Sequence, residues 1–189
     1  SIITAARLPP YYAILDDADE SQLRVNFEKI LSSGIKLIQA RLKTLSAHAA
    51  EKFIEQAYPL CRQQGCWLLI NSAVETAGRL AVDGIHLTAR HLLALDKRPE
   101  GLLWLAASCH NLKELQHAQK LGVDFVVLAP VLATATHPGV EGLGWQKFAE
   151  LVTYSNVPVY ALGGMSLNSL DRARQAGAQG ISAIRAFLD

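Results

Sequence analysis

Gln39-Ala40-Arg41-Leu42-Lys43 sets an amide and two cations at every second residue, directly after an apolar run. Strand geometry sends alternate side chains to one face, so Gln39, Arg41 and Lys43 share a side and the two cations form a clamp suited to an anion. A solvated charged loop is the competing reading, and the in-phase spacing favours the clamp. Other apolar runs also end in groups that hydrogen-bond phosphate oxygens: Asn71-Ser72 and Ser108-Cys109-His110. Ser72 and Asn111 serve equally well as caps of the helices that follow them. Segment 129–144, about sixteen residues, carries Thr134, Thr136 and His137 among Gly139, Gly142 and Gly144. A loop of that length in a compact domain is usually functional, with a mobile surface loop as the alternative. Gly163-Gly164 lets backbone N–H groups approach a phosphate, and Ile184-Arg185 adds a cation after the last apolar run. A short helix beyond such a turn would point its positive end at the same anion. Close packing of strand against the next element is the other use for those two glycines.

Histidines raise the question of a metal. His86, His91, His110 and His137 all fall near predicted strand ends, but no pair has a metal-ligand spacing. A lone strand-end histidine is more often a hydrogen-bonding group than a ligand.

Something must bring these scattered groups together. Short apolar runs rich in branched residues alternate with longer amphipathic stretches along the whole chain, the pattern of parallel strands joined by crossover helices. Strands are predicted near 12–15, 37–40, 67–70, 84–87, 103–106, 125–128, 159–161 and 180–183. The clearest helix opens at Ser46, a capping residue, and sets Ala49, Phe53, Ile54 and Ala57 on one face. Pro59 is predicted to kink or split it. Gly34, Gly65, Gly122 and Gly177 each stand shortly before a predicted strand and mark a repeated helix stop. Eight units in 189 residues allot about 24 residues to each, enough for a minimal single (β/α)8 TIM barrel over residues 1–189. An open doubly wound sheet competes, but it normally carries a Gly-rich turn after its first strand. Here that turn reads Asp16-Asp17-Ala18-Asp19-Glu20. In a parallel barrel, chemistry sits at the carboxyl ends of the strands, where all the groups above would gather.

Composition narrows the partners. With 50% hydrophobic residues, 19% charged and a formal net charge of +1, the chain is an ordinary globular α/β protein without the basic patch nucleic acid needs. The longest apolar run, 125–133, is too short for a bilayer and holds Pro130. Paired prolines near the start interrupt any signal-peptide core, so a cytoplasmic setting is expected. Three cysteines, Cys61, Cys66 and Cys109, lack a C-x-x-C pair and read as buried reduced thiols. The single methionine is Met165, so either an initiator ahead of Ser1 was removed or the chain comes from a longer polypeptide.

In combination and order, Ile38-Gln-Ala-Arg-Leu-Lys43, Ile70-Asn71, Asp83-Gly-Ile-His-Leu87, Ala107-Ser-Cys-His110, Pro130-Val-Leu-Ala-Thr-Ala-Thr-His-Pro138 and Ala161-Leu-Gly-Gly164 resemble the thiamine-phosphate synthase and thiazole tautomerase superfamily over nearly the whole chain. His-Leu-Thr-Ala-Arg and Ala-Ser-Cys-His also resemble the synthase-like domain that some bacteria fuse behind a Nudix hydrolase, which adds a fused or partner Nudix domain to the expectations. The resemblance implies that hydroxymethylpyrimidine diphosphate is joined to a thiazole phosphate, giving thiamine phosphate and pyrophosphate. Gln39 would then touch the pyrimidine, and Arg41, Lys43, Asn71 and Ser108 would hold the diphosphate. Thr134 and Thr136, with the backbone at Gly163, Gly164 and Ile184, would hold the thiazole phosphate.

The chain departs from that pattern where the family holds Mg²⁺. The two expected aspartates are replaced by Ser72 and His91, His137 stands for a lysine, and Arg185 stands for a serine. A hard cation needs oxygen ligands, so no tightly bound cofactor is expected and magnesium-dependent synthesis should be weak or absent. Asp83 lies at the wrong end of its strand to substitute. The tautomerase branch needs no diphosphate metal, but it places a histidine where this chain has Pro130, leaving His137 as the stand-in acid/base. A non-catalytic barrel that binds the same phosphorylated precursors is a further alternative. An isomerase or epimerase of sugar phosphates is disfavoured by the missing strand-end carboxylate pair.

Overall fold

The computed structural model describes residues 7–72, 74, 78–135 and 137–189. Every predicted strand forms: β1 (Tyr11–Asp16), β2 (Leu37–Arg41), β3 (Trp67–Asn71), β4 (Gly84–Leu87), β5 (Trp104–Cys109), β6 (Phe125–Leu128), β7 (Val159–Leu162) and β8 (Gly180–Ala183). They pair in parallel in sequence order, and β8 returns to β1, which closes the sheet into an eight-stranded barrel. Helices α1 (Glu20–Ser32), α2 (Ala47–Gln63), α3 (Ala89–Leu93), α4 (Leu112–Leu121), α5 (Gly144–Val152) and α6 (Leu170–Gln175) lie between strands. The fold is the (β/α)8 TIM barrel.

Three details differ from the sequence prediction. Helix α2 runs unbroken through Pro59. The ring forfeits one backbone donor, but Ile54, Ala57 and Cys61 bury the helix against the sheet and hold it in register. Strand β5 continues to Cys109, so Ser108 sits in the strand rather than beyond it. Residues 184–188 after β8 form a bend and turn without helix, and a single 3-10 turn, Leu167–Ser169, precedes α6. The helix predicted after Ser72 falls largely outside the described residues.

The core has two shells. Between sheet and helices, Phe27, Ile54, Leu115 and Phe148 belong to a large aliphatic layer. Inside the barrel, Tyr12, Trp104, Phe125 and Tyr160 pack ring against ring, with centroids 5.4 Å apart for Tyr12–Phe125 and 5.6 Å for Phe125–Tyr160. Below them Arg7 lies over Trp67 and Trp104, and the Tyr160 hydroxyl donates to the Pro9 carbonyl at 2.6 Å, so the amino-terminal end is sealed. Cys61, Cys66 and Cys109 are free and buried. Burial pushes the Cys109 thiol up to about 12, with the Glu114 carboxylate adding to the effect. No helix among the described residues is long and apolar enough to cross a membrane.

Two-residue alternation turns this floor into a polar rim. Climbing β2, the residues in phase are Leu37, Gln39 and Arg41; on β3 they are Trp67, Leu69 and Asn71; on β5 they are Trp104, Ala106 and Ser108. Each strand thus carries apolar side chains low in the barrel and a hydrogen-bonding one at its carboxyl end.

Candidate active site

At that rim the first five strands are joined by side chains. The Asn71 amide Nδ2 donates to Gln39 Oε1 at 2.7 Å, and both residues are buried. The Tyr12 hydroxyl lies 2.8 Å from His86 Nδ1. On the other side of the ring, His86 Nε2 is 2.8 Å from Ser108 Oγ. Lateral register makes this connection, since Asn71 pairs with His86 across β3 and β4. His86 is fully buried, and burial lowers its pKa to about 3, with the Lys43 charge pressing the same way. Burial holds the Tyr12 hydroxyl well above its usual range. Both groups are therefore neutral at physiological pH. The Asn71 carbonyl oxygen is buried without a hydrogen-bond partner.

The cation clamp is present in altered form. The β1–β2 register sets Asp16 beside Arg41, and the guanidinium donates to that carboxylate at 3.0 Å. Asp17 accepts the backbone N–H groups of Lys43 and Thr44 at 2.8 and 3.1 Å and so fixes the turn that carries Lys43. Partial burial and the Arg41 charge lower the Lys43 pKa, while Asp17 opposes them. Lys43 follows the carboxyl end of β2 directly after Arg41 and Leu42. The acidic turn after β1 is thus the counter-charge of the clamp, a role its composition alone does not reveal. Beside Asn71 and Ser72, a cavity of about 190 Å³ is lined mainly by Leu42, Leu45, Ile70 and Leu80.

Across the mouth the construction differs. Gly163 and Gly164 have φ of 116° and 70°. A Cβ on Gly163 would lie 2.8 Å from the Val131 backbone nitrogen, and one on Gly164 would lie 2.9 Å from Leu132 Cβ. Val131 N–H donates to the Leu162 carbonyl, and Leu132 N–H to the Gly163 carbonyl. The two glycines therefore let the loop after β6 lie against the end of β7, the packing use foreseen for them, and Gly164 remains exposed at the rim. Thr134 is partly buried, whereas His137 and Arg185 are exposed. No hydrogen bond or ion pair ties the side chains of Thr134, His137 or Arg185 to the Gln39–Ser108 group. Thr136 lies outside the described residues. Ile184 follows β8 directly and is partly buried.

The remaining candidates have structural duties. Asn111 caps α4 by accepting from Glu114 N–H at 2.9 Å. Asp83, at the amino end of β4, accepts from Leu68 N–H at 2.8 Å. His110 pairs with Glu114 at the surface. His91 lies in α3, capped by Thr88, with its Nδ1 buried and unpartnered. Sequence reasoning passed over Tyr12 and gave His86 only a bland hydrogen-bonding role. The available signal was His86 lying two residues after Gly84 on a strand whose other residues are apolar.

A closed parallel barrel with cations, amides and a hydroxyl at its carboxyl rim places the chain in the class of (β/α)8 barrels with a polar mouth. Within that class, the chain belongs to the thiamine monophosphate synthase (TMP-TENI) family, whose model matches residues 11–187. It is 32% identical over 187 residues to a putative thiamine-phosphate synthase 2 of Aquifex aeolicus, a match covering 96% of this chain and 99% of that protein. To a thiamine-phosphate synthase of a Synechococcus species it is 33% identical over 185 residues, covering 92% of this chain and 49% of that protein. This chain therefore spans about half the length of that cyanobacterial relative. Thiamine phosphate pyrophosphorylase from Pyrococcus furiosus shares the fold, with a TM-score of 0.75 at 22% identity over 93% of this chain and 85% of that one.

Proposed function

We propose that the barrel binds phosphorylated thiamine precursors at its carboxyl rim and has a thiamine-phosphate synthase-like role in thiamine biosynthesis. The observation that carries this reading is the convergence of Gln39, Arg41, Lys43, Asn71 and Ser108 on one rim in a chain of this family. In the proposed reaction the bond between the pyrimidine methylene and the diphosphate oxygen breaks, and its electron pair leaves with pyrophosphate. The thiazole ring nitrogen then supplies the pair for the new carbon–nitrogen bond. Charge grows on the departing diphosphate, so preorganised donors there stabilise the transition state more than the ground state. Arg41, Lys43, Asn71 and Ser108 are assigned that work. Thr134, Thr136 and the backbone at Gly163, Gly164 and Ile184 are assigned the thiazole phosphate, with Arg185 as a cation at its edge, and His137 is assigned to the catalytic set with Arg41 and Lys43.

The donor set does not suit a magnesium ion. Ser72 and His91 occupy the positions where the family resemblance expects aspartates, and Asp16 and Asp17 are engaged by Arg41 and by backbone N–H groups. Among the described residues no group of three or more His, Cys, Asp or Glu side chains could hold a metal. Magnesium demands near-octahedral oxygen coordination, so this reading includes weak or absent magnesium-dependent turnover. An assay for thiamine phosphate from the two precursors, with and without magnesium, tests it. Robust magnesium-dependent turnover would overturn the metal part, and precursor binding without turnover would establish the second reading, a binding barrel. The engagement of Arg41 by Asp16 favours that second reading, because it weakens the clamp. A cytoplasmic setting and a Nudix hydrolase domain in the parent polypeptide belong to the proposal too, and the encoding reading frame tests the latter.

A further inference from the structure

A hydrogen-bond count along the buried side chains fixes a direction that the distances alone leave open. Asn71 Nδ2 donates to Gln39 Oε1. Within hydrogen-bond distance the fully buried Tyr12 hydroxyl has His86 Nδ1, 2.8 Å away, and it has one proton to give. In the opposite arrangement Nδ1–H would donate to Tyr12 and leave a fully buried hydroxyl proton without an acceptor. A neutral imidazole that accepts at Nδ1 carries its proton on Nε2, which faces Ser108 Oγ at 2.8 Å. Burial and the Lys43 charge keep the ring from taking a second proton.

We propose that His86 is a positioning residue of this site: it accepts from Tyr12 at Nδ1 and donates from Nε2 to Ser108, so that Tyr12, His86 and Ser108 form a one-way chain from β1 through β4 to β5, beside the Asn71–Gln39 pair. The rim then presents two unlike groups. At Ser108, which is half-buried at the rim, the oxygen is already an acceptor, and the hydroxyl proton is directed to a ligand. At Asn71 the carbonyl is bare and buried. The rim thus favours a hydrogen-bond acceptor, such as a phosphoryl oxygen, at Ser108 and an N–H or O–H donor at Asn71. Without the histidine, the serine hydroxyl would lose its fixed partner and divide its proton among several directions. This inference rests on the proposed function only in taking Ser108 to face the phosphorylated ligand.

Nitrogen NMR of the histidine-labelled native protein reads the tautomer without any substitution, the His86 ring being assigned through its contact with the Tyr12 ring 5.7 Å away. We expect the proton on Nε2 and a bare Nδ1; a proton on Nδ1 overturns the proposal. Titration with inorganic pyrophosphate then compares native protein, Ser108→Ala, His86→Phe and the double variant. Each single change should weaken binding about fivefold. The double variant should bind no more weakly than Ser108→Ala, because His86 acts through that hydroxyl. Additive losses would show that His86 does not work through Ser108 and would overturn its positioning role. A native protein with Nε2–H in place but no affinity for pyrophosphate would count against the proposed function and leave the chain supported.

Discussion

The two halves of the barrel mouth are built from different materials. From β1 to β5 the rim is a set of side chains already bonded to one another, with Asn71 on Gln39, Tyr12, His86 and Ser108 in one chain, and the more exposed Arg41 held by Asp16. From β6 to β8 it is backbone: the 130–132 segment lies on Gly163 and Gly164, and the polar side chains nearby, Thr134 and His137, stand apart from the network. The first half can discriminate by donor and acceptor, because its groups are oriented before any ligand arrives. The second offers close approach and shape. In the proposed function this division assigns one ligand to hydrogen-bond direction and the other to fit against main chain.

Acid should break the first half and spare the second, and this is the largest effect expected. His86 has its pKa lowered from 6.5 to about 3 in the folded protein. Between those values the unfolded chain binds a proton that the folded chain refuses, so stability is complete above pH 6.5 and falls as pH drops towards 3. The window corresponds to about 4–5 kcal/mol, at up to about 1.4 kcal/mol per pH unit. Urea unfolding at a series of pH values should show the native slope exceeding that of His86→Phe by this amount. Equal slopes would mean that the ring takes up a proton without cost and that the first half is not preorganised.

Gly163→Ala tests the other half. The new Cβ would meet the Val131 nitrogen and Pro130 Cα at 2.8 and 2.9 Å on a backbone with φ of 116°. Neither neighbour is a flexible side chain, so a loss of about 3 kcal/mol is expected in urea unfolding, with its acid dependence unchanged. Gly164→Ala, which meets one side-chain carbon, Leu132 Cβ at 2.9 Å, where Gly163→Ala meets main chain, should lose about 1–2 kcal/mol. Similar losses at both sites would show that the loop yields as a whole.

How far these halves can be read in the sequence follows from what each depends on. All eight strands are visible because each is a short apolar run between amphipathic or turn-forming stretches, and the helix stops at Gly34, Gly65, Gly122 and Gly177 all adopt left-handed φ. Those features are local. The Gln39, Arg41 and Lys43 phase was visible for the same reason. The bonds of Arg41 to Asp16 and of Asn71 to Gln39 depend on which residues pair across neighbouring strands, and a single sequence carries no signal of lateral register. His86 carries no local sign of its role, because its partners Tyr12 and Ser108 lie 74 and 22 residues away. The split allowed for at Pro59 does not occur for the opposite reason: local propensity favours a break, and the burial of α2 against the barrel keeps the helix continuous.

The clamp supplies smaller effects that sharpen the comparison. Lys43→Ala removes a cation held at the mouth by the Asp17-braced turn. It should weaken pyrophosphate binding about tenfold by calorimetry, since hydrogen bonds to charged groups contribute more than neutral ones. An unchanged affinity would place the diphosphate elsewhere on the rim.

Asp16→Asn should do the least and says the most about how the first half is balanced. The Asp16–Arg41 pair is 3.0 Å long but partly solvated, with side chains 34% and 44% exposed. An exposed ion pair contributes only about 0–1 kcal/mol, so thermal unfolding should hardly move. The guanidinium, however, is the one clamp cation with a carboxylate bonded to it, and an incoming phosphoryl oxygen must compete with that carboxylate. Neutralising Asp16 removes the competitor while keeping an acceptor that holds Arg41 in place. Pyrophosphate affinity should therefore rise about twofold to threefold, and the gain should vanish in high salt, where screening weakens exposed charges. A fall in affinity would show instead that Asp16 aims Arg41 at the ligand, making the carboxylate part of the preorganised half rather than a brake on it.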